Sequence, residues 1–112
     1  MRWFKLASQE FMVFGYGTLK KPSVRSKIFG DDPGVSTHKI DGYEKENCGE
    51  EFTTLIESKD NSVHGVLLRL SGEQIKKLDA WEEKYERKKI GDIEGQPLYA
   101  YFMNQELQTS TP

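Results

Sequence analysis

The sequence predicts a single α+β domain, and three observations lead to it. The chain has 112 residues, the size of one ordinary domain whose core hides roughly two-thirds of the surface exposed by the unfolded chain. Only 36% of the residues are apolar, but six Phe, five Tyr and two Trp bring large buried areas and exclude wholesale disorder. Short apolar runs of strand character are punctuated by Gly, Pro and Asp, and a capped amphipathic segment interrupts them. No internal repeat or long linker divides the chain, so residues 1–104 read as one domain and residues 105–112 as a polar tail. With Leu107 as its single aliphatic residue, that tail buries too little to offset its ordering entropy.

Phe11-Met12-Val13-Phe14, followed by Gly15 and Gly17, has the length and flanks of a strand buried on both faces. Pro22 to Phe29 reads as a short helix: Pro22 suits the first turn, Val24 and Ile28 lie one turn apart, and Gly30 ends it. Asp31-Asp32-Pro33-Gly34 supplies a turn. Val35 to Ile40, Phe52 to Glu57 and Val63 to Leu70 are strand-like, the last two joined by a hairpin loop at Ser58 to Ser62. Tyr85 to Ile90 and Leu98 to Phe102 complete the strands, with Gly91 to Gly95 between them.

The capped segment is the second helix. Ser71-Gly72-Glu73-Gln74 is a capping box, in which two side chains satisfy two otherwise unpaired backbone N–H groups. Ile75 and Leu78 share a face, and at about 100° per residue Glu82 falls within roughly 20° of Ile75. A carboxylate turned toward a core is costly unless paired or neutral, and desolvation raises its pKa into the range of a base or acid working near neutrality. Pattern alone leaves two alternatives. The helix ends near Ala80 with Glu82 in solvent, or Glu82 pairs structurally with Arg69 or Arg87.

Gly15-Tyr16-Gly17-Thr18-Leu19 follows the first strand. Glycines there let backbone approach a ligand, and successive N–H groups can form an anion-binding nest; an ordinary strand end is the competing reading. The segment is no Walker loop, since no Gly-Lys-Ser/Thr follows, and Lys20 breaks the Gly-x-Gly-x-x-Gly spacing.

Composition narrows the partners. Lys and Arg number 16 against 18 Asp and Glu, and no basic stripe is present to neutralise the phosphates of a nucleic acid. Cys48 is the only cysteine, and with His38 and His64 it falls short of a structural zinc site. Cys48 with either histidine would make a thiol hydrolase, but one Cys with a distant His is a common accident. Trp3, Trp81 and Met12 read as packing residues or as part of a contact surface. Met1 to Leu6 lacks the apolar centre of a signal peptide, and no window approaches the roughly 20 apolar residues of a membrane span, so a cytoplasmic protein without membrane association is expected.

Taken together, three blocks resemble the γ-glutamylcyclotransferase-like family, which includes small AIG2-like members. They are Val13-Phe14-Gly15-Tyr16-Gly17-Thr18-Leu19-Lys20, then Val63-His64-Gly65-Val66, then Leu78-Asp79-Ala80-Trp81-Glu82 followed by Tyr85-Glu86-Arg87. The resemblance implies a small mixed β-barrel flanked by one or two main helices, with a cavity between the Tyr16–Leu19 loop and the helix carrying Glu82. It also implies the release of 5-oxoproline from a small γ-glutamyl substrate without a metal or organic cofactor. Glu82 then takes the catalytic position, Tyr16, Gly17, Thr18 and Leu19 form the substrate loop, and Tyr85 and Arg87 lie near the cavity.

Three stretches differ from the family pattern. Gly15 stands where a bulky apolar residue is usual, which is expected to loosen the strand before the loop. Lys20-Lys21-Pro22-Ser23 replaces a Gly and then an Asn, and Phe52-Thr53-Thr54-Leu55 lacks the proline of an aromatic-Pro stretch. These differences bear on the pocket wall and hence on the leaving group. A binding or interaction module that turns nothing over is the alternative to an enzyme on the same fold.

Overall fold

In the computed structural model, residues 10–47 and 52–103 are described. The apolar run at the start becomes β1 (Phe11–Gly15), followed by a 3₁₀ turn (Thr18–Lys20) and α1 (Pro22–Phe29). Then come β2 (Ser36–Asn47), β3 (Thr53–Leu70), α2 (Gly72–Trp81), β4 (Tyr85–Ile93) and β5 (Gln96–Met103). The strands form one sheet in the order β2-β3-β1-β5-β4. β1 runs antiparallel to β3 and parallel to β5, while the β2–β3 and β4–β5 pairs are antiparallel. The result is a curled mixed half-barrel with two helices.

β1 is central because its side chains satisfy both faces. Along a strand they alternate, so Met12 and Phe14 join Ile40, Leu55, Leu67 and Leu98 in one cluster, and Val13 joins Leu68, Ile75, Leu78 and Tyr101 in the other. α1 contributes Ile28 and Phe29 to the second cluster, and α2 contributes Ile75 and Leu78. Gly30, at φ +91, terminates α1 as expected. The capping box of α2 is complete: Gln74 N–H donates to Ser71 Oγ at 3.2 Å, and Ser71 N–H donates to Gln74 Oε1 at 2.9 Å.

Two hairpin expectations are corrected. Ser58 to Ser62 is not a hairpin loop, because Thr53–Glu57 and Val63–Leu70 belong to one long strand and both halves pair with β2, Phe52 lying just before it. Strand β2 runs on to Asn47, and its polar residues 41–47 supply partners that no apolar alternation announced. The register slips between Asp41 opposite Ser62 and Tyr43 opposite Glu57, so the polar cluster is absorbed as a ladder irregularity. Likewise Gly91 to Gly95 is not a five-residue loop. Ile93 pairs with Gln96, leaving a two-residue turn at Glu94 (φ 54) and Gly95 (φ 80), the all-positive geometry that tight hairpins require.

Candidate active site

The first wall of the site is the segment after β1. Gly15 is buried and still in register opposite Val66, and a Cβ added to it would lie 2.8 Å from Leu19 Cβ. The glycine therefore does not loosen the strand; it lets Leu19 fold back against it. Gly65 has a matching reason, since a Cβ there would lie 2.3 Å from the Gly15 carbonyl oxygen. After Gly17 the chain closes on itself, with Lys20 N–H donating to Gly17 O at 3.0 Å and Lys21 N–H to Thr18 O at 2.9 Å. The N–H groups of Gly17, Thr18 and Leu19 take no part in these bonds, as is usual for the first donors of a helical turn.

The loop is anchored from beneath by Arg25, 4% exposed on α1. Its Nη1 donates to Leu19 O at 2.9 Å, while Nε and Nη2 donate to the two carboxylate oxygens of Asp32 at 2.7 and 2.9 Å. Gly34 N–H also donates to Asp32. The Arg25 hydrogen bonds, then the Gly34 one, hold the Asp32 carboxyl below its ordinary range. Sequence reading missed this anchor. Its one signal was Arg25 lying three residues before Ile28, on the buried side of a short helix.

The second wall is the end of α2. The helix stops at Trp81 and Glu82 is its C-cap, with Glu82 N–H donating to Leu78 O at 2.9 Å and Tyr85 N–H to Glu82 O at 2.9 Å. This boundary is close to the Ala80 alternative, yet the Glu82 side chain is half-buried instead of solvated. Neither arginine considered for it is its partner. Arg69 pairs with Glu94 at 3.1 Å and Arg87 with Asp79 at 3.0 Å. Burial pushes the Glu82 carboxyl up to about 7, and among the described residues no ion pair or side-chain hydrogen bond to it offsets the desolvation.

Between the walls lies a cavity of about 70 Å³. Tyr16, Gly17, Thr18, Leu19, Glu82 and Tyr85 all line it, so the structure brings together every site residue marked in the sequence. Phe14, Gly15, Thr53 and Tyr101 complete the lining. The Tyr16 phenol donates to the Tyr101 carbonyl and lies 3.3 Å from Thr53 O, while Thr53 N–H donates to Tyr85 Oη at 3.3 Å. Tyr16 thus spends its hydroxyl on the protein, and Thr53 gives backbone to both tyrosines.

Tyr101 is the lining residue that pattern could not mark, because an aromatic residue within an apolar strand reads as packing. Its hydroxyl donates to Asp79 Oδ1 at 2.6 Å. Asp79 also accepts Nε and Nη2 of Arg87 at 3.0 and 3.2 Å. The Arg87 guanidinium lies over the Tyr99 and Phe11 rings, 4.8 and 5.7 Å from their centroids. Arg87 is thus a support behind the cavity and does not line it. Burial first, and then the bond to Asp79, push the Tyr101 phenol well above its ordinary pKa.

The remaining residues fall outside the site. His38 packs edge-on against Phe14 at 6.0 Å between ring centroids. Met12 is a core residue, whereas Trp81 is 45% exposed and so does not pack in the core. Cys48, Trp3 and the tail lie outside the described residues. Among the described residues no group of three or more His, Cys, Asp or Glu side chains is placed to hold a metal, and no helix is long and apolar enough to cross a membrane.

The fold thus sets a carboxyl-bearing cavity at the junction of the first loop and the second helix of a curled mixed sheet. The family model described as gamma-glutamyl cyclotransferase, AIG2-like, matches residues 13–112, and the chain belongs to that family. Solved structures agree on the fold. At5g39720.1 from Arabidopsis thaliana is 24% identical with a TM-score of 0.71, covering 85% of this chain and 69% of its own. At3g28950.1 from the same plant is 19% identical with a TM-score of 0.69, covering 85% of this chain and 62% of its own. A structure described as gamma-glutamyl cyclotransferase is 16% identical with a TM-score of 0.62, covering 86% and 68%. The chain therefore spans about two-thirds of the length of each. No protein of curated function matches its sequence.

Proposed function

We propose that the protein cyclises a γ-glutamyl amine, amide or short peptide to 5-oxoproline and frees the amine, with Glu82 as general base. The observation that carries this reading is the Glu82 carboxyl, desolvated and without an offsetting ion pair among the described residues, on a cavity shared with the Gly17–Leu19 turn. Family membership supports the class of reaction.

A carboxyl with pKa near 7 is about half ionised at neutral pH, where a group can both take and return a proton. A γ-glutamyl α-amine has a pKa of roughly 8 and is largely ammonium there. Glu82 accepts the ammonium proton, and the freed nitrogen bonds to the γ-carbonyl carbon of the bent substrate. The bond from that carbon to the leaving nitrogen then breaks as Glu82 returns its proton to it. The ring nitrogen sheds its second proton by the same route, so the products are the lactam and the ammonium form of the leaving amine. The N–H groups of Gly17, Thr18 and Leu19 suit the α-carboxylate and the developing oxyanion. Holding the bent conformer supplies much of the acceleration.

The test is to incubate the protein with γ-glutamyl amino acids, γ-glutamyl-ε-lysine and glutathione and to measure 5-oxoproline. Product is expected from at least one of them; none from any would overturn the reading in favour of a binding module. Equal turnover by Glu82→Gln would remove the base from the mechanism.

A further inference from the structure

The cavity sorts its polar groups by kind. Gly17, Thr18 and Leu19 line the loop side, and their backbone N–H groups are donors that the turn's own hydrogen bonds leave out. On the helix and sheet side are Glu82 and Tyr101. A phenol is ordinarily both donor and acceptor, but here its polarity is decided. Asp79 is a carboxylate that already accepts two Arg87 N–H groups, and a carboxylate can only accept, so the single Tyr101 proton must point at it across 2.6 Å. The residue is pinned at its other end as well, because its carbonyl accepts the Tyr16 hydroxyl.

We propose that Tyr101 is a second acceptor for the substrate's α-ammonium: its phenol oxygen, with its proton committed to Asp79, offers only lone pairs to the cavity beside the Glu82 carboxylate. Asp79 and Arg87 are the positioning residues behind it. The arrangement matches a zwitterionic α-amino acid head, with carboxylate toward the donors and ammonium toward the acceptors. It rests on the site being the γ-glutamyl pocket described above. It goes further by assigning a group for the ammonium that is distinct from the base.

The experiment compares equilibrium binding of L-glutamate with that of glutarate, which keeps both carboxylates and lacks the ammonium, by titration calorimetry. The wild-type protein is expected to prefer L-glutamate. Tyr101→Phe is expected to lower that preference about tenfold with glutarate affinity unchanged, and the unchanged affinity also certifies the fold of the variant. Asp79→Asn, which unlocks the phenol proton, is expected to lower the preference similarly, and the double variant to do no worse than Tyr101→Phe alone. An unaltered preference in Tyr101→Phe, an equal weakening of both ligands, or binding of neither by the wild type would overturn the proposal. The outcomes separate the two readings. Ammonium preference without 5-oxoproline production would sink the ring closure and leave the acceptor role standing, and turnover with an unshifted preference would do the reverse.

Discussion

The C-terminal end of α2 carries two carboxylates, Asp79 in its last turn and Glu82 at its C-cap, that the surrounding fold treats in opposite ways. Asp79 is met by a forked guanidinium and a phenol, and Arg87 in turn lies against two aromatic rings. Glu82, one turn further on, is taken out of water with no ion pair among the described residues, and its pKa rises to about 7. Two positions three residues apart at one helix end thus hold a compensated carboxylate and an uncompensated one. Compensation, and not residue type, sets which is which. A comparable contrast separates Asp32, tied to Arg25 under the loop, from Glu82 across the cavity.

The sharpest way to break this comparison is Glu82→Gln, which keeps the shape and removes the proposed base. Its kcat for 5-oxoproline formation is expected to fall by roughly 10² to 10⁴, measured on whichever γ-glutamyl substrate the wild type turns over. Next in size is the pH response of the wild-type protein: on the proposed mechanism, activity should climb as pH rises through about 7, because Glu82 must be ionised to act as base. A profile flat between pH 5.5 and 8 would show that another group sets the rate.

The same shift has a consequence for stability. The folded pKa of Glu82 lies above its ordinary value of 4.5, so the folded state holds the proton more tightly than the unfolded chain. The stability this confers is full below about 4.5 and is lost as pH rises to about 7. Glu82→Gln carries no such loss. At pH 8 the Glu82→Gln variant should therefore be more stable than the wild type by about 1–3 kcal/mol in urea titrations, an advantage that vanishes near pH 4.5.

Asp79→Ala tests the other carboxylate. It leaves the Tyr101 hydroxyl and Arg87 without their acceptor, and a loss of about 1–3 kcal/mol is expected from thermal or urea unfolding, moderated by the partial exposure of the ion pair. A neutral result would mean that Asp79 anchors nothing. The smallest effect is that of Ser71→Ala, which removes the cap at the far end of the same helix. About 1 kcal/mol of stability should be lost with kcat unchanged, and a matching drop in kcat would show that the end of the helix is not held independently of its start.

Much of this was legible because local physics acts over a few residues. Pro22, Gly30 and the Ser71–Gln74 box marked helix ends that the structure places where they were expected. The β1 run was apolar on both faces because its strand is central. The β2–β3 pairing was not legible, since polar residues 41–47 become strand through a partner and not through their own alternation. The Glu94-Gly95 turn escaped notice because its first residue is not the Asn or Asp that such turns favour. At the site, the helical wheel put Glu82 on the Ile75 face although the helix stops just before it, and the buried direction survives that termination.

By itself, then, the sequence determined the element types, the capped helix, the glycine-bracketed loop and the acidic residue aimed inward, because each depends on spacing along the chain. Only the tertiary structure decided which carboxylate would be compensated. Arg87, Tyr101 and Arg25 reach their partners across turns and strands, where no periodicity links them. Desolvation, the one cause of the Glu82 shift, arises only when the walls of the cavity close around a side chain.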